Sequence, residues 1–340
     1  MVSHPPITVA IRQIRGNSGI DVWAGNLCHG IGGLGHRCTL DLFPGYYQFM
    51  PALLRLKGNP AGPDIIHGST WNGYAFRNDR PLVITEHHVI NDPAYDPYRT
   101  VPQKIYHRWI YRCEQKTLDV ADSVACVSRF TQKKLEEVFG YTGSRVIYNG
   151  VDTSVFRPIE QGTGIDQIPG NKTVLFFAGN LSRRKGADLL PAIMKQLGDK
   201  YVLLVASGQH AGSPGNLKNI INTGHLDQAR LAATYNRCDI FLSASRLEGF
   251  GLSVAEAMAC GKPVVATNGS SLPELVVDGK GGFLCGMDDV PDFADRIRHL
   301  STDEDLRRDM GAFNRKRAEE MFTLERMTAE YLQLYGILLE

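Results

Sequence analysis

The sequence predicts an α/β protein made of two doubly wound, parallel-sheet domains, and three observations carry that prediction. Short β-branched runs alternate with helix-like segments along most of the 340 residues, the pattern of parallel sheets covered by helices on both faces. The length suits two domains of roughly 100–200 residues each. One polar stretch rich in Pro and Gly, RPIEQGTGIDQIPGN at 157–171, interrupts the alternation and reads as a linker.

The first series of strands is expected at 7–11, 37–42, 64–67, 82–86, 123–127 and 145–148, with a helix over 20–31. The second series is expected at 173–178, 201–206, 220–223, 240–243, 263–266 and 282–285. The domains are therefore placed at 1–155 and 172–320, joined by a linker at 156–171. A final helix is expected over 321–340. In such sheets ligands bind beyond the C-terminal ends of the strands, so functional residues should follow strands directly.

Composition narrows the function classes. Hydrophobic residues make up 43% and charged residues 21%, as in an ordinary soluble globular protein. The 37 Lys and Arg nearly balance the 36 Asp and Glu, which argues against a nucleic-acid-coating protein. Seven cysteines form no CxxC pair, so zinc-ribbon and thioredoxin readings lack support. Their odd, scattered set suggests reduced thiols in a reducing compartment. The N-terminal apolar run is too short for a signal peptide, and no stretch reaches the ~20 apolar residues of a spanning helix.

The segment Gly30-Ile-Gly32-Gly33-Leu-Gly35 fits GxGxxG through Gly30, Gly32 and Gly35. A dinucleotide fingerprint follows a strand and opens a helix. This one follows a helix and precedes a strand, so a glycine-rich turn is the expectation.

The richest stretch is SRLEGFGLSVAEAMACG at 245–261, after the strand IFLSA. Gly249 and Gly251 permit a tight loop, and a helix should begin near Leu252 or Ser253 and stop at Gly261 before Pro263. Glu248 then lies on the loop and Glu256 in the first turns of the helix. A helix start favours an anion, and carboxylates accept hydrogen bonds from sugar hydroxyls. Phosphate plus polyol is what a nucleotide-sugar presents. Two glutamates alone would read as a solvated surface loop.

Upstream, Asn180 to Gly186 (NLSRRKG) follows the strand TVLFF. Its cations Arg183, Arg184 and Lys185 suit a diphosphate, with Lys as a point charge and Arg as a bidentate donor. A solvated basic loop fits the same residues. Gly16 to Asp21 (GNSGID) follows the first strand, and its small residues permit close backbone approach. An ordinary turn capped by Ser18 or Asp21 is the alternative. Two histidines, His87 and His88, end the strand LVITE.

Taken together these segments resemble the retaining glycosyltransferases of family 4, which have the two-domain GT-B fold. The match is carried by Glu248-Gly-Phe-Gly-Leu-Ser-Val-Ala-Glu256 followed by Ala-Met-Ala-Cys-Gly-Lys-Pro-Val-Val-Ala. Val146 to Asp152 with Phe156-Arg-Pro, Ala121 to Ser128, Gly35-His36 and Pro63 to His67 also fit. The resemblance implies that Glu256 binds the donor ribose and that Glu248 contacts the transferred sugar. It implies backbone N–H groups from Phe250, Gly251 and Leu252, and makes Lys185 the diphosphate ligand. Asn180 stands where an arginine is common, so either Arg183 or Arg184 replaces that charge. Gly19 is the safer carry-over in the first glycine-rich loop, and His87 is the expected catalytic histidine with His88 as alternate.

The implied activity is transfer of a mannosyl, glucosyl or N-acetylhexosaminyl unit from a GDP- or UDP-linked sugar to a glycan or lipid-linked acceptor. Polysaccharide, lipopolysaccharide or glycolipid assembly in the cell envelope is the implied setting. No cofactor or metal is expected, and no nucleic acid. A nucleotide-sugar-binding scaffold or sensor is the alternative. Residues 98–117 carry five Lys or Arg against one Glu, with Trp109 and three tyrosines. That mixture suits an anionic membrane surface, or equally a core helix with snorkelling cations. The expected location is cytoplasmic, either free or peripheral on the inner face of the membrane.

Overall fold

The computed structural model describes residues 6–16, 19–58, 62–159, 171–207 and 217–340. The chain forms two compact units, Met1–Gly150 with Leu324–Glu340 and Val151–Thr323.

The sheet of the first unit holds β1 (Thr8–Ile14), β2 (Arg37–Phe43), β3 (Ile65–Ser69), β4 (Leu82–Glu86), β5 (Ser123–Cys126) and β6 (Arg145–Val146). Its order is β2-β1-β3-β4-β5-β6, and all its pairings are parallel. The connecting helices are α1 (Gly19–Gly33), α2 (Val101–Leu118) and α3 (Arg129–Phe139). The second unit holds β7 (Thr173–Ala178), β8 (Tyr201–Ala206), β9 (Ile220–Gly224), β10 (Ile240–Ser243), β11 (Val264–Thr267) and β12 (Gly282–Cys285). Its order is β12-β11-β10-β7-β8-β9, again all parallel. Its helices are α4 (Leu190–Leu197), α5 (Gln228–Arg237), α6 (Leu252–Ala259), α7 (Leu272–Leu275), α8 (Val290–Thr302) and α9 (Glu304–Met321). The last helix, α10 (Leu324–Leu339), belongs to the first unit.

Strand order reverses between β1 and β3 in one sheet and between β7 and β10 in the other. Those two reversals are where a doubly wound sheet opens a crevice beyond its strand ends.

Local chemistry explains the element ends. Thr100 and Gln103 form a capping box at the start of α2, with Pro102 in its first turn. Ser128 caps α3, and Gly140 closes it at φ 66°. The first strand runs three residues beyond the expected 7–11 because Arg12 is not a strand-ending polar residue. Its guanidinium is buried, pairs with Asp41 of β2 at 3.0 Å and lies over the rings of Phe43 and Phe76.

The unit boundary falls after Gly150. Val151 donates its N–H to the Phe322 carbonyl, and Phe156 sets its ring edge-on to Tyr235. Both belong to the second unit's packing. Most of the expected linker, 160–170, lies outside the described residues.

The thiol reading needs one correction. Cys28 of α1 and Cys38 of β2 form a disulfide, with Cα atoms 5.3 Å apart. Helix and following strand lie side by side, a juxtaposition that spacing alone does not reveal. The other five cysteines are free and buried.

The GxGxxG segment ends α1 and leads into β2, as the turn reading expects. Gly30 has a packing role. A Cβ there would lie 2.2 Å from Thr328 Oγ1 of α10, so its bareness lets the two helices approach. Both contribute to one core that includes Trp23, Leu27, Ile31, Tyr331 and Tyr335. Gly30→Ala is expected to cost about 1–3 kcal/mol through overpacking. Adding Thr328→Ala should recover part of it, which denaturant unfolding midpoints of the two variants will show.

Candidate functional site

In the second unit the site forms where the sheet reverses. The loop after β7 makes a single 3-10 turn, Arg183–Lys185, capped by the Ser182 hydroxyl. Gly186 then turns at φ 67°, and a Cβ there would lie 1.9 Å from the Ala244 carbonyl oxygen. Only glycine fits, and the loop therefore crosses tightly over the end of β10. This crossing zips two loops together. The Arg246 N–H donates to the Arg184 carbonyl at 2.9 Å, and the Arg184 guanidinium donates to the Leu247 carbonyl at 2.9 Å.

The zipped loops bring Lys185 to Glu248, Nζ to Oε2 at 2.5 Å, with both side chains largely buried. The Glu248 N–H donates to the Ser270 hydroxyl. The Ser271 hydroxyl lies 2.9 Å from the Glu248 carbonyl and 2.8 Å from that of Phe250. The loop after β11 thus braces the glutamate loop from the other side.

Gly251, at φ 107°, is the N-cap residue of α6, which begins at Leu252. The Phe250 ring is buried edge-on to Phe322, so only its backbone could face a ligand. Glu256 lies in the second turn of α6. The Tyr235 hydroxyl sits 2.8 Å from its Oε2. Burial raises the Glu256 pKa to about 7, against the opposing pull of that hydrogen bond and of the Lys185 charge.

Arg183 and Arg184 separate in role. Arg184 is committed to Leu247, whereas Arg183 is exposed. The residue that sequence reading missed is Arg246. Its guanidinium donates to both Asp188 oxygens at 2.7 and 3.0 Å, to Asp288 at 2.6 Å and to the Arg183 carbonyl at 2.6 Å. Burial opposes its charge, but the hydrogen bonds to the two aspartates outweigh burial and raise its pKa. Asp288 is thereby an ion-pair partner, and Asp289 caps α8. Tyr235, fully buried, is the other missed group, and it stands in no motif that would single it out.

In the first unit, Gly19 opens α1 beyond β1 and is exposed. Asp21 accepts the Gly16 N–H at 3.1 Å, while Ser18, the other candidate cap, lies outside the described residues. His87 follows β4 and is 9% exposed, with Trp23 edge-on at 4.6 Å. Its buried Nε2 has no hydrogen-bond partner among the described residues. Burial, with His88 and His67 nearby, holds its pKa down at about 3, so the imidazole is neutral. His88 is half-buried beside Trp71.

His67, also neutral with a pKa near 3 from burial, links this region to α10. Its Nδ1 lies 2.6 Å from the Tyr335 hydroxyl and its Nε2 2.8 Å from Thr85 Oγ1. Thr85 in turn meets the Tyr331 hydroxyl at 2.9 Å.

Two doubly wound parallel sheets, with a basic loop and a two-glutamate loop meeting at the reversal of the second, define a GT-B protein. Residues 18–155 match the family model described as Glycosyltransferase Family 4, and 161–317 the one described as Glycosyl transferases group 1. The chain belongs to this glycosyltransferase family.

The D-inositol 3-phosphate glycosyltransferase of Corynebacterium jeikeium is 32% identical over 228 residues, covering 59% of this chain and 54% of that protein. The chain spans little more than half the length of several such curated relatives. Among solved structures, sucrose-phosphate synthase from Thermosynechococcus elongatus superposes with a TM-score of 0.83 at 20% identity, covering 98% of this chain and 99% of that one. Anabaena Alr3699/HepE, solved in complex with UDP-glucose, gives 0.77 at 18% identity, covering 97% and 99%.

Two expectations follow. Arg246→Met removes its charge-assisted hydrogen bonds to Asp188 and Asp288, both solvent-accessible, and unfolding of the purified protein should show a loss of about 1–3 kcal/mol. Glu256 has a folded pKa above its unfolded value, so its contribution is full below about pH 4.5 and is lost as pH rises through about 7. Melts of Glu256→Gln against the parent should therefore converge at acid pH. They should favour the variant by up to about 3 kcal/mol at pH 8.

Proposed function

We propose that the protein is a retaining hexosyltransferase. It moves a mannosyl, glucosyl or N-acetylhexosaminyl unit from a nucleotide diphosphate-sugar to a glycan or lipid-linked acceptor. The observation that carries this reading is the Lys185–Glu248 pair, 2.5 Å apart, where the loops after β7 and β10 meet at the sheet reversal. The family to which the chain belongs supports it. So do the transferase names of its relatives and the UDP-glucose bound to HepE.

In this reading Lys185 leaves Glu248 when a diphosphate enters and stabilises the negative charge that builds on it, the kind of electrostatic term that dominates such catalysis. Glu248, released, accepts hydrogen bonds from hydroxyls of the transferred sugar. Arg183 offers the second cation that Asn180 does not. Glu256 takes the ribose hydroxyls, with Tyr235 fixing its carboxylate. Backbone N–H groups of Phe250, Gly251 and Leu252 face the phosphate and sugar. Gly19 lets the backbone of the first unit approach the donor, and neutral His87 hydrogen-bonds the sugar at the reacting end.

The bond from the anomeric carbon to phosphate oxygen breaks as the bond to the acceptor oxygen forms on the same face. The departing phosphate takes the acceptor's proton. These side chains and helix starts supply the charge stabilisation, and no step needs a metal. The enzyme is placed in the cytoplasm, peripheral on the inner face of the membrane, in envelope polysaccharide or glycolipid assembly. No described helix is long and apolar enough to cross a membrane.

The test separates binding from chemistry. Lys185→Ala should weaken nucleoside-diphosphate binding and lower kcat by about 10²–10³. Glu248→Gln should also lose transfer by at least about 10². It should bind free UDP or GDP as tightly as the parent or tighter, because Lys185 is no longer held by a carboxylate. Product from residual turnover should keep the donor's anomeric configuration. A glycosylated Glu248 trapped in the parent enzyme would overturn the same-face route, and transfer unaffected by either substitution would overturn the reading.

A further inference from the structure

The first unit carries an exposed apolar face that the proposed chemistry does not use. Two consecutive 3-10 turns, Gly45–Phe49 and Pro51–Lys57, follow β2. Tyr47 and Leu54 point into the core, and their neighbours are left outside. Phe49 is 61%, Met50 60% and Leu56 82% exposed, and on α2 Val101 is 71% and Ile105 70% exposed. Such residues are usually scattered singly, and a contiguous patch marks an interaction surface.

Here the turns and the helix are joined. The Tyr106 hydroxyl donates to Gln48 Oε1 at 3.0 Å, and Phe49 and Tyr106 have ring centroids 5.7 Å apart. Tyr106 stacks on Trp109. A cavity of about 440 Å3 opens between them, lined by Phe49, Pro102, Ile105, Tyr106 and Trp109.

Charge singles out the occupant. The two turns and α2 expose Arg55, Lys57, Lys104, Arg108, Arg112 and Lys116. The turns contain no carboxylate, and the one in α2, Glu114, is fully buried. Of the acidic residues flanking α2, Asp96 pairs with Arg99, and Asp119, the C-cap residue, is exposed. The cations of both elements meet around Tyr74. Arg55 donates to its carbonyl, and Lys116 lies over its ring. Protruding aromatic and aliphatic side chains within a rim of six exposed cations and one exposed carboxylate match the interface of an anionic bilayer. A partner without net negative charge would leave most of these cations without complements.

We propose that this two-element face, the turns of 45–57 together with α2, docks the protein on an anionic lipid bilayer. Phe49, Leu56, Val101 and Ile105 enter the acyl boundary, and the cations sit at the headgroups. The proposal rests on the peripheral placement given above for 98–117 and deepens it by making the turns an equal part of the surface.

Sedimentation of the full chain with vesicles tests it. Vesicles of phosphatidylcholine with 30% phosphatidylglycerol should take the protein down at low salt and release it at high salt, and pure phosphatidylcholine should not. Lys57→Gln should weaken partitioning about five-fold, the value of one cation near an anionic surface. The double variant Phe49→Ser, Leu56→Ser should abolish it, as should Ile105→Ser with Val101→Ser. Lys316→Gln, on an exposed position of α9, should change nothing. Unshifted melts, and an unchanged thermal shift with UDP- or GDP-sugars, should show that the variants fold and keep the donor site.

Loss with the α2 variant but not with the turn variant would overturn the two-element face and leave 98–117 as the membrane contact. No sedimentation with anionic vesicles would overturn both while leaving the transferase reading to its own test. Equal binding to neutral vesicles would overturn the role of the cations.

Discussion

The site of the second unit depends on one buried guanidinium. Arg246, only 5% exposed, ties the loop after β10 to Asp188 ahead of α4 and to Asp288 ahead of α8, and it holds the carbonyl of Arg183 besides. Three loops that belong to different strands are thereby fixed to one planar fork, a task for which Arg geometry suits better than Lys. Lys185 and Glu248 flank this knot in sequence and in space. Their meeting is a consequence of the knot and of Gly186 more than of their mutual attraction. A surface ion pair alone would contribute little. Loops held by buried charge-assisted hydrogen bonds keep a charged pair aimed without cost at the moment of use.

The first unit solves a related problem with neutral groups. His67, Thr85, Tyr331 and Tyr335 form a buried chain of hydrogen bonds, and Trp23 sets its ring against His67, His87 and Tyr331. Burial keeps both histidines uncharged, so the network needs no counterion. His87, adjoining it, is held by packing on Trp23 while its Nε2 stays unengaged among the described residues. The two candidate regions therefore position their polar side chains by different physics, ionic around Lys185 and Glu248 and neutral around His87.

Much of this was legible in the sequence, and the rest was hidden for identifiable reasons. The doubly wound architecture follows from β-branched runs alternating with helical segments, because the inner strands are buried on both faces. The start of α6 at Leu252 follows from the glycines around Phe250. Residues whose state depends on a distant partner were not legible. Arg12 reads as a strand end until Asp41, on the neighbouring strand, buries it. Arg246 sits inside the richest motif but has no periodicity of its own, and its aspartates lie 58 and 42 residues away. Lys185 and Glu248 each follow a strand, as expected. Their contact spans 63 residues and needed the sheet order to be known. Cys28 and Cys38 were misread because a helix and its following strand bring together side chains that the linear spacing keeps apart. Glycine was misleading in a milder way: Gly30 belongs to a dinucleotide-like pattern and serves helix packing instead.

The first unit is discontinuous, with α10 arriving only after the whole of the second unit has been traversed. During synthesis from the N-terminus, Trp23, Leu27 and Ile31 must wait for Tyr331, Leu334 and Tyr335 before their core can close. The second unit is continuous and has no such delay. Order of assembly therefore runs against order of translation: the later-made unit can complete itself first, and the earlier one holds apolar surface open until α10 emerges. A nascent chain of this design has its greatest need of chaperone protection in that interval.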